Sequence, residues 1–241
     1  DEPLAERTFE LYASQSLSPE GRSIFLNILS SEADTCLNAE LDAQLEIQNS
    51  EMLLELKDIN YPDLCESGLV FLQEEFAIAT TPGNYTLELK KGEMASNFGN
   101  IVITGDFVEL DVESSQCFFV KKERMAFIKE NHVWGFFAYR NILNGTPDFT
   151  LEEVVADFYS VLRGFEDIPE GDYQYFNVSE NGSVTIPELD DNAVPVAVNL
   201  TLEGGWENLK SSFELLSNSR DDLFFSCLQM EKVRITTTSF P

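Results

Sequence analysis

Leu41-Asp42-Ala43-Gln44-Leu45-Glu46-Ile47-Gln48 decides the fold class of this chain. Leu41, Ala43, Leu45 and Ile47 are apolar, and the residues between them are polar or acidic. Successive side chains of a strand point to opposite faces, so this alternation makes one buried and one wetted face. The same period appears where Tyr85, Leu87 and Leu89 alternate with Thr86, Glu88 and Lys90, and where Val108, Leu110 and Val112 alternate with Glu109, Asp111 and Glu113. Further strand-like segments are 9–13, 24–29, 52–57, 69–72, 76–80 and 101–104. Many short strands with one apolar face predict a mainly β chain, with residues 1–125 forming an antiparallel β-sandwich.

The second half is mixed. Thr150-Leu151-Glu152-Glu153 has capping-box spacing: the threonine accepts from the third helical N–H and the glutamate reaches back. Leu151, Val154, Val155, Phe158 and Leu162 then fall on one helical face, and Gly164 suits the stop. A second helix is expected over 206–216, with Leu209, Phe213 and Leu216 as its buried stripe. Strands are expected at 173–178, 183–186, 196–203, 223–229 and 232–239, the first two joined by the Ser179-Glu180-Asn181-Gly182 turn. Residues 126–241 therefore read as an α+β module or a second β-sandwich. The charged run Lys121-Lys122-Glu123-Arg124 marks the boundary region. Pro82-Gly83-Asn84-Tyr85 and Pro169-Glu170-Gly171-Asp172-Tyr173 are similar turn-to-strand steps, best explained by convergent turn chemistry.

Forty-three Asp and Glu against fifteen Lys and Arg give a net charge of −28. Nucleic acid and anionic membrane are disfavoured as partners, because both repel such a field. Nineteen Phe and seven Tyr set the chain apart from disordered acidic sequences. No apolar run has the ~20 residues that span a bilayer. The N-terminal residues lack the basic region and apolar stretch of a signal peptide, so either the protein is not secreted or a signal has been removed.

Cys36, Cys65, Cys117 and Cys227 are spaced too widely for a zinc knuckle or a redox CxxC pair. They are either disulfide-bonded or buried thiols. Cys36 and Cys65 are the favoured pair, because they flank segments 41–48 and 51–59, and a hairpin of those two would bring its open end together.

The sequence carries few chemical signatures. His132 is the sole histidine, and no GxSxG elbow accompanies it. Asp190-Asp191-Asn192 and Asp221-Asp222 carry oxygen donors but not the alternating ligands of a calcium loop, so solvated loops are favoured and no cofactor is expected. Gly204-Gly205 lacks a phosphate-binding frame and reads as a turn. Trp134, Tyr139 and Trp206 are the candidate ligand contacts, since exposed aromatic rings stack on sugar faces. The competing assignment for Trp134–Tyr139 is a buried strand or the seam between the halves.

The run Pro82-Gly83-Asn84-Tyr85-Thr86-Leu87-Glu88-Leu89 resembles the strand edge of immunoglobulin-like and carboxypeptidase-regulatory-like β-sandwiches of bacterial envelope proteins. Asp1-Glu2-Pro3 is similar to the acidic tether of Bacteroidetes-type surface lipoproteins, whose lipid-bearing cysteine would lie upstream of Asp1. The resemblance implies a noncatalytic exported binding or structural protein of the cell envelope, periplasmic or surface-exposed, with a protein or glycan partner and membrane contact only through such an anchor. Two alternatives stand beside it. One is a carbohydrate-binding or carbohydrate-processing surface protein. The other is an acidic inhibitor or immunity-type protein that masks a basic partner.

Overall fold

The computed structural model describes residues 4–18, 21–78, 81–93, 95–113, 117–139, 150–162, 164–189, 191, 193–201, 207, 209–211, 224–230 and 234–236. The chain is mainly β and forms two compact units, Asp1–Phe127 and Ile128–Pro241.

The first unit begins with a single 3-10 turn, Leu4–Glu6, followed by ten strands: β1 (Phe9–Ser18), β2 (Gly21–Cys36), β3 (Glu40–Gln48), β4 (Glu51–Asn60), β5 (Ser67–Ile78), β6 (Gly83–Lys91), β7 (Ala95–Ile103), β8 (Phe107–Val112), β9 (Phe118–Val120) and β10 (Arg124–Ala126). They form a four-stranded sheet, β5-β2-β1-β9, and a six-stranded sheet, β10-β8-β7-β6-β4-β3. Phe9, Leu11, Leu26 and Ile28 of the smaller sheet join Leu54, Leu56, Leu87, Leu89, Ile101 and Leu110 of the larger one in one apolar core. This is the burial that period-two alternation predicts.

Two pairings depart from the antiparallel expectation. β4 runs parallel to β6, and β1 runs parallel to β9. Parallel neighbours need a crossover between them. β5 supplies one, leaving the six-stranded sheet after β4 and pairing with β2 in the other sheet before the chain returns as β6. The segments expected at 69–72 and 76–80 fall within the continuous β5, apart from 79–80, which lie outside the described residues. Where the β2–β5 register shifts after Leu29, buried Ser30 repairs the ladder. Its hydroxyl accepts from the Leu72 N–H at 2.9 Å and donates to the Glu32 carbonyl at 2.8 Å.

The segment that decides the class lies at a sheet edge. Along β3, Leu41 is buried, Ala43 and Leu45 are half-buried, and Ile47 is exposed. An edge strand has a neighbour on one side only, so its cover thins toward the β3–β4 turn. Asn49 makes that turn at φ 56°, a conformation asparagine tolerates better than most residues.

The second unit contains β11 (His132–Tyr139), α1 (Leu151–Val161), β12 (Phe165–Glu166), β13 (Gly171–Asp172), β14 (Asn177–Val178), β15 (Val184–Thr185), β16 (Ala193–Leu200), β17 (Phe224–Met230) and β18 (Arg234–Thr236). β11 lies at the centre of a five-stranded sheet, β12-β16-β11-β17-β18, and β13-β14-β15 form a small separate sheet. Both halves of the Thr150–Glu153 capping box are made, at 3.2 and 2.8 Å. Leu151, Val154 and Phe158 of α1 pack in one cluster with Val133 and Phe137 of β11 and Val196 and Val198 of β16. Of the helix expected over 206–216, the described residues 207 and 209–211 are helical, and Leu209 is buried.

The single strand expected over 173–178 is broken. A turn closes from the Tyr173 N–H to the Phe176 carbonyl, with Gln174 at φ 72° and its N–H bound to Asp172 Oδ1. Local hydrogen bonds from an aspartate here compete successfully with the ladder. The two Pro-to-Tyr steps nevertheless seat tyrosine alike. Tyr85 and Tyr173 are both buried, and each phenol donates at 2.9 Å to the carbonyl four residues upstream, of Thr81 and Pro169 respectively.

Candidate binding face

Two features of the first unit carry chemistry: a buried polar corner and an open groove on the outer face of the six-stranded sheet. The corner holds the N-terminal segment against the sandwich. Arg7 Nη2 donates to Asp34 Oδ2 at 2.5 Å, both side chains being almost fully buried. The Tyr61 phenol donates to the same oxygen at 2.7 Å, and Asp34 Oδ1 accepts from the Cys36 N–H at 2.9 Å. Burial pushes the Asp34 carboxyl up, but the bonds from Tyr61 and Cys36 and the Arg7 charge outweigh it and hold the group below the usual carboxylate value. Burial and the neighbouring Asp34 carboxylate, in turn, push the Tyr61 phenol up. Lys91 is buried, and its ammonium donates to the carbonyls of Ala5 and Arg7 at 2.7 and 2.9 Å. Next to this corner Cys36 and Cys65 form a disulfide, with Cα atoms 5.1 Å apart, across the open end of the β3–β4 hairpin.

The groove has a volume of about 660 Å³. Register builds it. Glu46, Leu53, Glu88, Phe98 and Glu113 stand side by side across β3, β4, β6, β7 and the residue following β8. One step along the same face, Gln48, Glu51, Thr86, Asn100 and Asp111 form a second row. In the first row acidic and apolar side chains alternate strand by strand. Neighbouring strands lie about 4.8 Å apart, so its three carboxylates recur about every 10 Å. Phe98 is 56% exposed. Glu88 accepts from Ser96 Oγ at 2.9 Å and pairs with Lys90 at 3.2 Å. The Ser96 bond, helped by Lys90, holds the Glu88 carboxyl below its ordinary value. Among the described residues, Glu46, Glu51, Asp111 and Glu113 have no cationic partner, and no three metal-binding side chains converge on one point.

Gly99 lets β7 and β8 close up behind Phe98. A Cβ there would meet the Asp111 carbonyl oxygen at 2.5 Å and the Val112 Cα at 2.9 Å, and backbone cannot yield as a flexible side chain does. Gly99→Ala is expected to destabilise the first unit by about 1–3 kcal/mol, as overpacking typically does. The check is the urea midpoint, with weakened amide protection along β7 and β8.

The residues singled out in the sequence lie elsewhere. Trp134 is 4% exposed and stacks against Phe176 at 5.6 Å and Tyr175 at 6.0 Å. Its ring belongs to the core of the second unit and offers no open face to a sugar, which corrects its candidacy as a ligand contact. The backbone of Tyr139 pairs with Phe224, while its side chain, like all of Trp206, lies outside the described residues. His132 is buried, edge-on to Tyr173 at 5.6 Å. Asp191 is exposed; Asp190, Asn192, Asp221, Asp222 and the Gly204-Gly205 pair lie outside the described residues.

Phe98 lies outside every segment whose alternation predicts a strand. A strand was expected only at 101–104, yet the signal was present: Ile101 and Ile103 face inward, so Phe98 has the outward parity. Fold and face together define a mainly β protein of two units, one of them a sandwich with an acidic and apolar groove. Compared with known proteins, the chain matches no family model, no curated protein and no solved structure.

Proposed function

We propose that the protein is a noncatalytic binding protein, exported to the cell envelope, whose ligand face is the groove on the six-stranded sheet. The observation that carries this reading is Phe98, a large ring held in the open between carboxylates, with half-buried Leu53 on the same face. Apolar groups set between polar ones on a concave face support recognition of a ligand. The Cys36–Cys65 disulfide supports an oxidising compartment, since such bonds persist outside the cytosol. Kinship with immunoglobulin-like or carboxypeptidase-regulatory-like modules and a lipid anchor upstream of Asp1 belong to the same proposal. With Trp134 buried, the carbohydrate alternative rests on Phe98 and on Tyr139 and Trp206, whose side chains lie outside the described residues.

The test is an amide-resolved NMR titration of the full chain with three kinds of probe: neutral polysaccharides, a cationic peptide and calcium. Shifts concentrated at Glu88, Phe98, Asn100 and Asp111 with any one of them are the expected result. Shifts confined to other surfaces, or none with any probe, overturn the assignment of the groove. Alkylation of the native cells before lysis checks the compartment, where Cys36 and Cys65 are expected to be fully protected from the reagent.

A further inference from the structure

We infer that the ligand of this groove is a basic segment of a partner protein, one that alternates cationic and apolar side chains. The inference rests on the groove being the ligand face and goes on to name its occupant. Three features of the face select that chemistry. Its apolar groups, Leu53 and Phe98, sit between the carboxylates of Glu46, Glu88 and Glu113 and do not form a separate patch. A ligand that covers the apolar groups must therefore lie against the carboxylates as well. Of the three carboxylates in that row, only that of Glu88 is ion-paired within the chain among the described residues, while Glu46 accepts a hydrogen bond from Gln44 Nε2 at 3.3 Å. A neutral sugar would give the other two hydroxyl hydrogen bonds but would leave their charge unneutralised. A cationic side chain supplies the compensation.

The row does not gather around a compact cation. Carboxylates about 10 Å apart, at every second strand, cannot share one ion. They match an extended set of charges. On an α-helix, residues seven apart lie on one face about 10.5 Å from each other, and the residue midway presents its side chain between them. A helix with lysine or arginine at that interval and an apolar residue midway would place its cations over Glu46, Glu88 and Glu113 and its apolar groups over Leu53 and Phe98. The net charge of −28 draws such a segment in from a distance, while the row fixes its register.

The experiment uses the full chain and a synthetic helical peptide with lysine at every seventh residue and leucine midway. The peptide is expected to shift the groove amides. Glu46→Gln/Glu113→Gln should weaken it about tenfold at low salt, with the difference shrinking as salt screens the charges. Phe98→Ser should weaken it while leaving the salt dependence unchanged. A control variant, Glu152→Gln/Glu180→Gln, removes the same charge from the second unit and is expected to change affinity less than twofold. Equal weakening by the control reduces the interaction to general charge attraction and overturns the inference. So does equal binding of a peptide with the same composition in scrambled order. Groove shifts with a polysaccharide or calcium but not with the peptide keep the groove as the ligand face and discard the basic partner. Silence from every probe discards both.

Discussion

Asp34→Ala is expected to cost the first unit about 3–5 kcal/mol, because it removes the buried counter-charge of the Arg7 guanidinium. Arg7 and Asp34 are among the few charged side chains the sandwich buries. The substitution removes one charge of a buried pair whose two side chains are almost fully shielded from water. It also deprives the Tyr61 phenol and the Cys36 N–H of their acceptor. Both tryptophans, Trp134 and Trp206, belong to the second unit, so a probe within the first unit is needed to follow this loss. Hydrogen exchange along β1 and β2 will report it, with protection falling in step with the urea midpoint. The effect also has a pH signature. The folded Asp34 carboxyl titrates below its unfolded value, which is near 3.9. The stability it contributes is therefore complete above that value and is lost as pH falls through the folded one. Wild type should lose stability on acidification below about pH 4, and Asp34→Asn should lose less over the same range. A wild-type and variant difference that is constant with pH would show that the pair contributes nothing through its charge.

Cys36→Ala/Cys65→Ala is the second large effect. The bond closes a loop with a sequence separation of 29. Loop-closure entropy for that length is worth roughly 3.5 kcal/mol in the unfolded chain. A reductant should lower the unfolding midpoint of the wild type to that of the double variant and leave the variant unmoved. Equal midpoints with and without reductant would show that the clasp adds no stability. The two sites are also coupled, because Asp34 Oδ1 holds the backbone N–H of Cys36. Combining Asp34→Ala with the cysteine double variant should depart from additivity, as contacting groups do.

The polar corner was invisible in the sequence for a definite reason. Arg7, Asp34 and Tyr61 are 27 residues apart at each step, and no local pattern distinguishes them from other charged or aromatic residues. The hairpin of β3 and β4 was legible, because alternation and a short turn are local properties. The β4–β6 and β1–β9 parallel pairings were not. Alternation says that a strand has an apolar face but not which strand lies beside it. Trp134 shows the same limit from the other side. A run rich in rings reads equally well as a binding surface or a core strand, and the choice fell to Tyr175 and Phe176, more than forty residues away.

The sequence by itself determined the mainly β class, through period-two alternation, and the helix after Thr150, through a capping box whose two bonds are both made. It also determined the distribution of charge onto outward strand positions, such as Glu46, Glu88 and Asp111. Only the tertiary structure decided that Glu46, Leu53, Glu88, Phe98 and Glu113 would stand in one row. Outward parity is fixed within each strand by the geometry of the backbone. Alignment between strands depends on crossovers, turns and register shifts that act over distances no local pattern encodes. The groove is a product of that register.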